Sequence, residues 1–333
     1  MSDDLTPLLS VILVTPNTYR RVRKTIQSLQ KQSARGQLEI VIATPSRDLA
    51  DALPEDWKCF RNVKVVSTGP FRNTGHPRAV AVSHASSDVV AFAEDHCFPQ
   101  AGWAECIGGL RHLPWAAISP ALENENPSPV SWADFLLNFG PAVAPTNART
   151  TDYTPWHNTA YKRELLREYG EKLEHMLEVE IRLQQDLVQR GHQCYLAAET
   201  RARHINISRL RSFLSGQFVG GRIYSAGRAE AFHWNIWKRL LYSAGSPLIP
   251  LVRFPRVLGD AQRTKPAGDN TWNNAWDNAR FWIACAAGLA ASAGGEAVGY
   301  LAGAGGAGRD RISFEFERHL HVRKSDLALL DPE

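Results

Sequence analysis

Three consecutive polar residues, Glu94, Asp95 and His96, follow the apolar, β-favouring run Val89–Ala93. Carboxylate oxygens and an imidazole nitrogen can ligate a divalent cation, and Mg²⁺ or Mn²⁺ held this way keeps positions open for phosphate oxygens. Such a cation neutralises the charge on a departing diphosphate. The tripeptide therefore indicates a metal site that serves a diphosphate, although a loop of solvated polar residues has the same composition.

The elements that position this tripeptide are predicted by alternating strand and helix patterns. Apolar runs at 8–15, 38–44, 62–68 and 88–93 predict strands, and helical patterns follow the first and third of them. Strands that alternate with helices favour an α/β fold with an open, mostly parallel sheet flanked by helices. Ligands of such sheets bind beyond the carboxyl ends of the strands, so residues 94–96 are expected to line a crevice.

Further along the chain the alternation stops. Segment 178–193 predicts a helix that ends at Gly191, and segment 193–206 predicts a strand. From about residue 208 the chain becomes helical, aromatic and basic. We expect two domains, an α/β domain over 1–225 and a mainly helical C-terminal region over 226–333.

Composition excludes several classes of protein. The net charge of the 333 residues is +4, and no basic run with interleaved aromatic residues occurs, so nucleic acid is not an expected partner. The five cysteines are scattered without a CxxC pair, which favours a reducing compartment. The acidic N-terminus lacks the features of a signal peptide, and Phe281–Gly295 is too weakly apolar to predict a membrane span. A cytoplasmic location is therefore expected.

From Leu9 to His204 the sequence resembles the glycosyltransferase family 2 enzymes of the GT-A fold. Thr15 and Asn17 match the turn after the family's first strand, and Arg78 matches an Arg that precedes the fourth strand. The stretch "FAEDHCFPQAGW" keeps the frame of the family's Asp-x-Asp cluster, with a Glu and a His in the two Asp positions. The order of these motifs, rather than any one of them, carries the resemblance.

The resemblance implies roles for individual residues. The helix of segment 178–193 resembles the family's catalytic helix, which makes Glu180 the candidate base, with Glu178 in reserve; a helix-start acid with a purely local role is the plain alternative. The remaining implied roles are nucleotide or donor binding by Thr15, Asn17, Thr44, Arg78, Glu94 and Asp95, metal binding by Glu94, His96 and His204, and acceptor binding by Trp156, His157 and Asn158.

Two residues depart from the family's pattern. Thr44 stands where the family has an acid that contacts the donor's base, which leaves the choice of nucleotide open. His96 stands where the family has an Asp, and since an imidazolium cannot coordinate, metal binding becomes pH-dependent.

The resemblance implies a metal-assisted, inverting glycosyltransferase of hexose type that uses Mg²⁺ or Mn²⁺, a nucleotide-sugar donor and a glycan or lipid-linked acceptor, as in cell-envelope polysaccharide synthesis. Such a domain over 1–225 would be the nucleotide-sugar-binding catalytic domain. A degenerate member that binds without turnover is the alternative. A nucleotidyltransferase is disfavoured because no Gly-rich phosphate loop follows the first strand. The aromatic and basic C-terminal region suits peripheral contact with the inner face of a membrane, or packing on the catalytic domain or another subunit.

Overall fold

The computed structural model describes residues 6–16, 18–46, 54–155, 157–264 and 275–330. These residues form two compact units. The first unit consists of the described residues within Met1–Glu123, Thr146–His204 and Leu330–Glu333. The second unit consists of the described residues within Asn124–Pro145 and Ile205–Leu329. The predicted boundary at residue 225 falls inside a helix, Leu210–Ala231. Its assignment as a boundary between functional domains stays a prediction.

One sheet forms the first unit. Its strands are β1 Leu9–Val14, β2 Leu38–Thr44, β3 Asn62–Ser67, β4 Val89–Ala93, β5 Cys97–Pro99, β6 Ala117–Asn124, β7 Arg149–Thr151, β8 Ala160–Lys162 and β9 Cys194–His204. The spatial order is β3-β2-β1-β4-β8-β6-β9-β5, with β7 paired to β9. The open sheet that the sequence predicted is confirmed.

The parallel part of the sheet is β3-β2-β1-β4. Every residue of β1, β2 and β4 is buried, as expected for strands covered on both faces. These neighbouring strands run in the same direction, so their carboxyl ends lie at one edge of the sheet. Three residues that end or follow the strands are therefore found at this edge: Thr15, Thr44 and Glu94. The strand predictions in this part of the chain are confirmed to within one residue at each end.

Beyond β4 the pairing is antiparallel. Ala160 of β8 lies opposite Ala91 of β4, and His204 of β9 lies opposite Cys97 of β5. The residues before β8 and the end of β9 are therefore brought to the edge where β4 ends.

The helices of the first unit are α1 Arg20–Gln30, α2 Gly75–His84, α3 Trp103–Gly108, α5 Arg163–Arg167, α6 Leu173–Glu178 and α7 Glu180–Gln189. On α1 the buried face is Val22, Thr25, Ile26 and Leu29, which matches the predicted spacing. Gly191 follows α7 with a φ of 88°, which confirms the predicted helix end. Helix α2 begins before the predicted Pro77.

The second unit is helical, with α4 Pro129–Phe139, α8 Leu210–Ala231, α9 Ile236–Gly245, α10 Ile249–Thr264, α11 Ala275–Ala302 and α12 Ala307–Phe316. Helices α8 and α11 pack through glycines: a Cβ on Gly295 would lie 2.0 Å from the Phe218 carbonyl oxygen. Residues Asn278–Ala302 of α11 are long and apolar enough to cross a membrane, and half of their most apolar part is buried within the protein. The core helix of a protein without a membrane span has the same length and composition.

Candidate active site

Glu94, His96 and His204 converge at the end of β4. Their ligand atoms lie within 4.8 Å of one another, and all three side chains are buried. Glu94 Oε1 is 3.5 Å from His96 Nε2, and Glu94 Oε2 is 3.2 Å from His204 Nε2. The two imidazole rings meet edge to face with centroids 5.0 Å apart. The structure thus brings together the three residues that the sequence predicted as metal ligands.

The neighbours of this triad fix its orientation. Asp95 Oδ1 lies 2.5 Å from His96 Nδ1, which directs His96 Nε2 toward Glu94. A carboxylate behind a metal-ligating histidine has this function in many metal sites. The Thr25 hydroxyl donates to the Glu94 main-chain oxygen at 2.8 Å, which ties the end of β4 to α1.

This donor set fits a divalent cation. One carboxylate and two imidazoles suit Mn²⁺ better than Mg²⁺, which prefers oxygen ligands. The tripeptide is buried rather than exposed along a crevice, with Glu94 at 5 %, Asp95 at 6 % and His96 at 0 % exposure. The cost of burying these groups is offset because each one faces a polar partner.

Glu180, the predicted base, opens α7 and is 1 % exposed. Its Oε1 accepts a hydrogen bond from the Tyr161 hydroxyl at 2.6 Å, and its Oε2 accepts one from the His157 main-chain N–H at 2.6 Å. The His157 imidazole Nδ1 lies 3.2 Å from the same oxygen. Burial and the Glu180 carboxylate raise the pKa of Tyr161 well above its ordinary value, so the hydroxyl stays protonated and donates.

Gln184, one turn further along α7, completes the network around Glu180. Its amide nitrogen donates to the Tyr161 hydroxyl at 2.8 Å and to the Thr154 hydroxyl at 3.0 Å, while its oxygen accepts from the Thr154 main-chain N–H. Sequence reasoning missed both Tyr161 and Gln184. The i, i+4 spacing from Glu180 could have indicated Gln184, whereas Tyr161 has the pattern of an ordinary core residue.

Two consecutive residues join the triad to Glu180. His157 binds Glu180 through its main-chain N–H, and the next residue, Asn158, donates from its side-chain amide to Glu94 Oε2 at 2.6 Å. His157 has a φ of 65°, a left-handed conformation that turns the chain sharply between the two contacts. The predicted metal site and the predicted base therefore belong to one connected cluster.

The other predicted residues take separate positions. Glu178, the reserve base, ends α6, and its side chain lies 3.5 Å from His175 Nδ1. Thr15 and Thr44 are buried at the edge where β1 and β2 end, and Arg78 is buried within α2. The predicted donor and acceptor residues Asn17 and Trp156 lie outside the described residues.

Thr15 shapes the turn that follows β1, whereas Thr44 continues the pairing between β2 and β3. The Thr15 hydroxyl donates to the Thr18 carbonyl at 2.8 Å, and the Thr44 carbonyl accepts from the Thr68 main-chain N–H at 2.8 Å. Their part in donor binding stays a prediction.

Among solved structures, the chain is similar to the mannosyltransferase PcManGT from Pyrobaculum calidifontis in complex with GDP-Man and Mn²⁺, with a TM-score of 0.53, 16% identity and 88% of each chain covered. Two weaker matches have TM-scores of 0.44 and 14% identity. A crystal structure of GalNAc-T7 with UDP, GalNAc and Mn²⁺ is matched over 61% of this chain and 44% of that chain. Residues 1–349 of S. aureus TarS are matched over 87% and 90%.

No protein family model and no curated protein matches the chain. At these identities the likeness to PcManGT shows the fold alone. The predicted GT-A type of sheet flanked by helices, with a helical C-terminal region, is therefore confirmed.

Proposed function

We propose that the protein is an inverting glycosyltransferase of family 2 type, which moves a sugar from a nucleotide-diphosphate donor to an acceptor hydroxyl. The observation that carries this proposal is the adjacency of His157 and Asn158, because one binds the candidate base and the other binds the candidate metal ligand. Inverting transfer needs a carboxylate on the acceptor side and charge neutralisation on the leaving-group side, held in fixed relation.

On the donor side, Glu94, His96 and His204 would hold a divalent cation, and we propose Mn²⁺ over Mg²⁺ because Mg²⁺ prefers oxygen ligands and because the similar structure of PcManGT is in complex with GDP-Man and Mn²⁺. A bound cation supplies Lewis-acid stabilisation of the departing nucleoside diphosphate. Asp95 keeps His96 in the orientation that ligation needs. We also propose that the nucleotide is bound along the same edge of the sheet by Thr15, Thr44 and Arg78. Because Thr44 stands where the family has an acid that contacts the base, the identity of the donor's base is not predicted.

On the acceptor side, Glu180 is the proposed base. A carboxylate has about four lone-pair positions, and the Tyr161 hydroxyl and the His157 N–H occupy one on each oxygen. A lone pair of the carboxylate is left for the acceptor hydroxyl. The oxygen of that hydroxyl attacks the anomeric carbon of the donor sugar as the bond between this carbon and the diphosphate breaks. The hydroxyl proton passes to Glu180. His157, Asn158 and Trp156 are proposed to face the acceptor, a glycan or a lipid-linked sugar.

The metal site can be tested by titrating Mn²⁺ into the full chain in a calorimeter, with and without sugar nucleotides of uridine and guanosine. We expect Glu94→Gln and His96→Ala to weaken Mn²⁺ binding by at least about 100-fold, since they remove direct ligands. His84→Ala, which alters an exposed histidine on α2, is the matched control and should bind like wild type. Equal heats for all of these variants would rule out the triad as the metal site.

The reaction can be tested by following donor hydrolysis and transfer across the same sugar nucleotides. We expect Mn²⁺-dependent release of nucleoside diphosphate. Thermal stabilisation by a donor without turnover on any acceptor would favour a binding protein instead. Pyrophosphate released from a nucleoside triphosphate and a sugar phosphate would identify a nucleotidyltransferase.

A further inference from the structure

The second unit carries a stripe of exposed apolar side chains along α9 and α10. The apolar stripe consists of Ile236, Trp237, Leu241, Leu248, Leu251 and Val252, each more than half exposed. Trp237 reaches 76 % exposure and Val252 reaches 77 %. A contiguous apolar surface of this extent on a soluble domain marks a site of contact with something else.

The buried positions of α9 and of the turn after it are the polar residues Ser243 and Ser246, whereas α10 buries Val257 and Thr264. The large apolar side chains of the stripe point outward. The Ser243 hydroxyl donates to the Ala297 carbonyl at 3.1 Å, and the Ser246 hydroxyl donates to the Tyr242 carbonyl at 2.8 Å. A helix normally turns its apolar face toward the core, so this outward face is suited to an apolar medium.

The apolar stripe runs without a break across the junction of the two helices. Ser246, which follows α9, and Ile249, which begins α10, both have right-handed helical φ and ψ values. A short 3₁₀ turn, Ser246–Leu248, joins the two helices, and residues 237, 241, 248 and 252 on both sides of it are all more than half exposed. A single flat surface can meet the whole stripe at once.

Charge indicates what that surface is. Residues 236–264 contain five basic residues and one acidic residue, and of the basic ones Arg253 donates to the Leu137 carbonyl while Arg263 pairs with Asp260. Lys238 and Arg256 are exposed beside the stripe. Anionic lipid headgroups attract cations in this position, and Trp237 has the amphipathic ring that favours a membrane interface. A two-fold pairing of the stripe with a second copy would bring the same cations together, which is unfavourable.

We propose that the apolar stripe and its flanking cations dock the protein on an anionic phospholipid surface, with α9 and α10 lying in the plane of the interface. This docking does not depend on the reaction proposed above. It would place the second unit at the membrane, and it requires no helix to cross the membrane.

The test is flotation of the full chain with vesicles of phosphatidylglycerol and phosphatidylcholine, compared with vesicles of phosphatidylcholine alone. We expect flotation with the anionic vesicles, weaker flotation with the neutral ones, release by salt, and extraction by alkaline carbonate. Absence of flotation with anionic vesicles would overturn the proposal. Retention after carbonate would also overturn it, because it would mean insertion rather than docking.

Paired variants separate the two parts of the surface. Trp237→Ser with Leu241→Ser should weaken partitioning at least about tenfold through lost apolar burial. Lys238→Glu with Arg256→Glu should weaken binding to anionic vesicles by at least about 30-fold, at roughly 1 kcal/mol per cation.

The matched controls are Leu113→Ser with Leu320→Ser for the apolar pair and Lys31→Glu with Arg35→Glu for the charged pair, all exposed residues outside the stripe. These controls should float like wild type. Equal flotation of the stripe variants and wild type would contradict the proposal. The proposal would also be contradicted if wild type is a dimer in size-exclusion chromatography and the apolar variant is a monomer that still binds vesicles like wild type.

Discussion

At the scale of single residues, the site shows how a chain can bury three adjacent polar side chains. Asp95 faces His96, Glu94 receives a hydrogen bond from Asn158, and the Glu94 carbonyl receives one from Thr25. Glu94 and His96 were predictable as metal ligands because they follow a strand in one tripeptide, whereas His204 was implied only by the family resemblance. The partners of that tripeptide were not, since they come from distant segments whose sequences indicate only a helix or a loop.

Exchange of Glu180 for Gln tests the proposed base and separates it from the reserve. Glu180→Gln keeps the side-chain shape but cannot accept a proton, so turnover should fall by about 10²-fold or more while donor binding is nearly unchanged. Glu178→Gln should stay within about threefold of wild type, because that side chain faces His175 instead of the cluster. Steady-state kinetics and donor calorimetry on both variants check this.

If Glu178→Gln loses activity and Glu180→Gln keeps it, Glu178 is the base and Glu180 is not. If both variants turn over like wild type, neither residue is the base.

At the scale of elements, long buried strands were predictable and short ones were not. Strands β1, β2 and β4 are continuous apolar runs, and the sequence predicted them closely. Strand β8 has three residues, too few for a period to be visible, so the sequence pattern does not indicate it. Yet β8 places Asn158 beside β4, because its pairing with β4 is antiparallel.

Helix α4 was also missed, although its start carries local signals. The Ser128 hydroxyl accepts a hydrogen bond from the Ser131 N–H as N-cap, and Pro129 occupies the first helical position. The Pro and Asn residues just before it are typical of a loop, and a loop rather than a helix start is therefore the simpler prediction for this segment.

Neighbouring glycines on α11 give a matched test of the packing between α8 and α11. In Gly295→Ala the new Cβ would lie 2.0 Å from the Phe218 carbonyl oxygen, so the helices must separate. We expect a loss of about 1–3 kcal/mol in the free energy of unfolding. In Gly294→Ala the nearest atoms are 3.9 Å away, and we expect a gain of about 0.5–1 kcal/mol because alanine favours the helix.

Urea unfolding of both alanine variants and wild type measures these changes. Equal stability of the two variants would mean that α8 and α11 are not in backbone contact.

At the scale of the whole molecule, pH should act on stability through a half-buried histidine in the second unit. Burial, followed by the charge of Arg318, lowers the pKa of His321 to about 4. Its Nε2 lies 3.1 Å from the Ser313 hydroxyl, and its ring packs on Phe314 with centroids 4.4 Å apart. The ring is therefore neutral in the folded protein at neutral pH.

The sign of the effect follows from proton binding. An unfolded histidine takes up a proton near pH 6.5, whereas folded His321 does so only near pH 4, so the unfolded chain binds more protons between these values. The free energy of unfolding should therefore fall as pH falls through this window. Allowing for partial solvent exposure, we expect about 1–2 kcal/mol from this group.

Melting curves at about pH 7.5 and about pH 4.5 measure the effect. His321→Gln should lose less stability between the two conditions than wild type does, and His112→Gln, which changes an exposed histidine, should behave like wild type. An unchanged pH dependence in His321→Gln would show that other groups cause the acid sensitivity.

The two histidines of the triad stand far apart along the chain, one just past β4 and the other at the end of β9. An ion shared between them would act as a cross-link that closes a long loop of the polypeptide and removes freedom from the unfolded state. A chelator would then behave as a mild denaturant of the first unit, and the supply of manganese in a cell would govern how long the protein survives proteolysis as well as how fast it works.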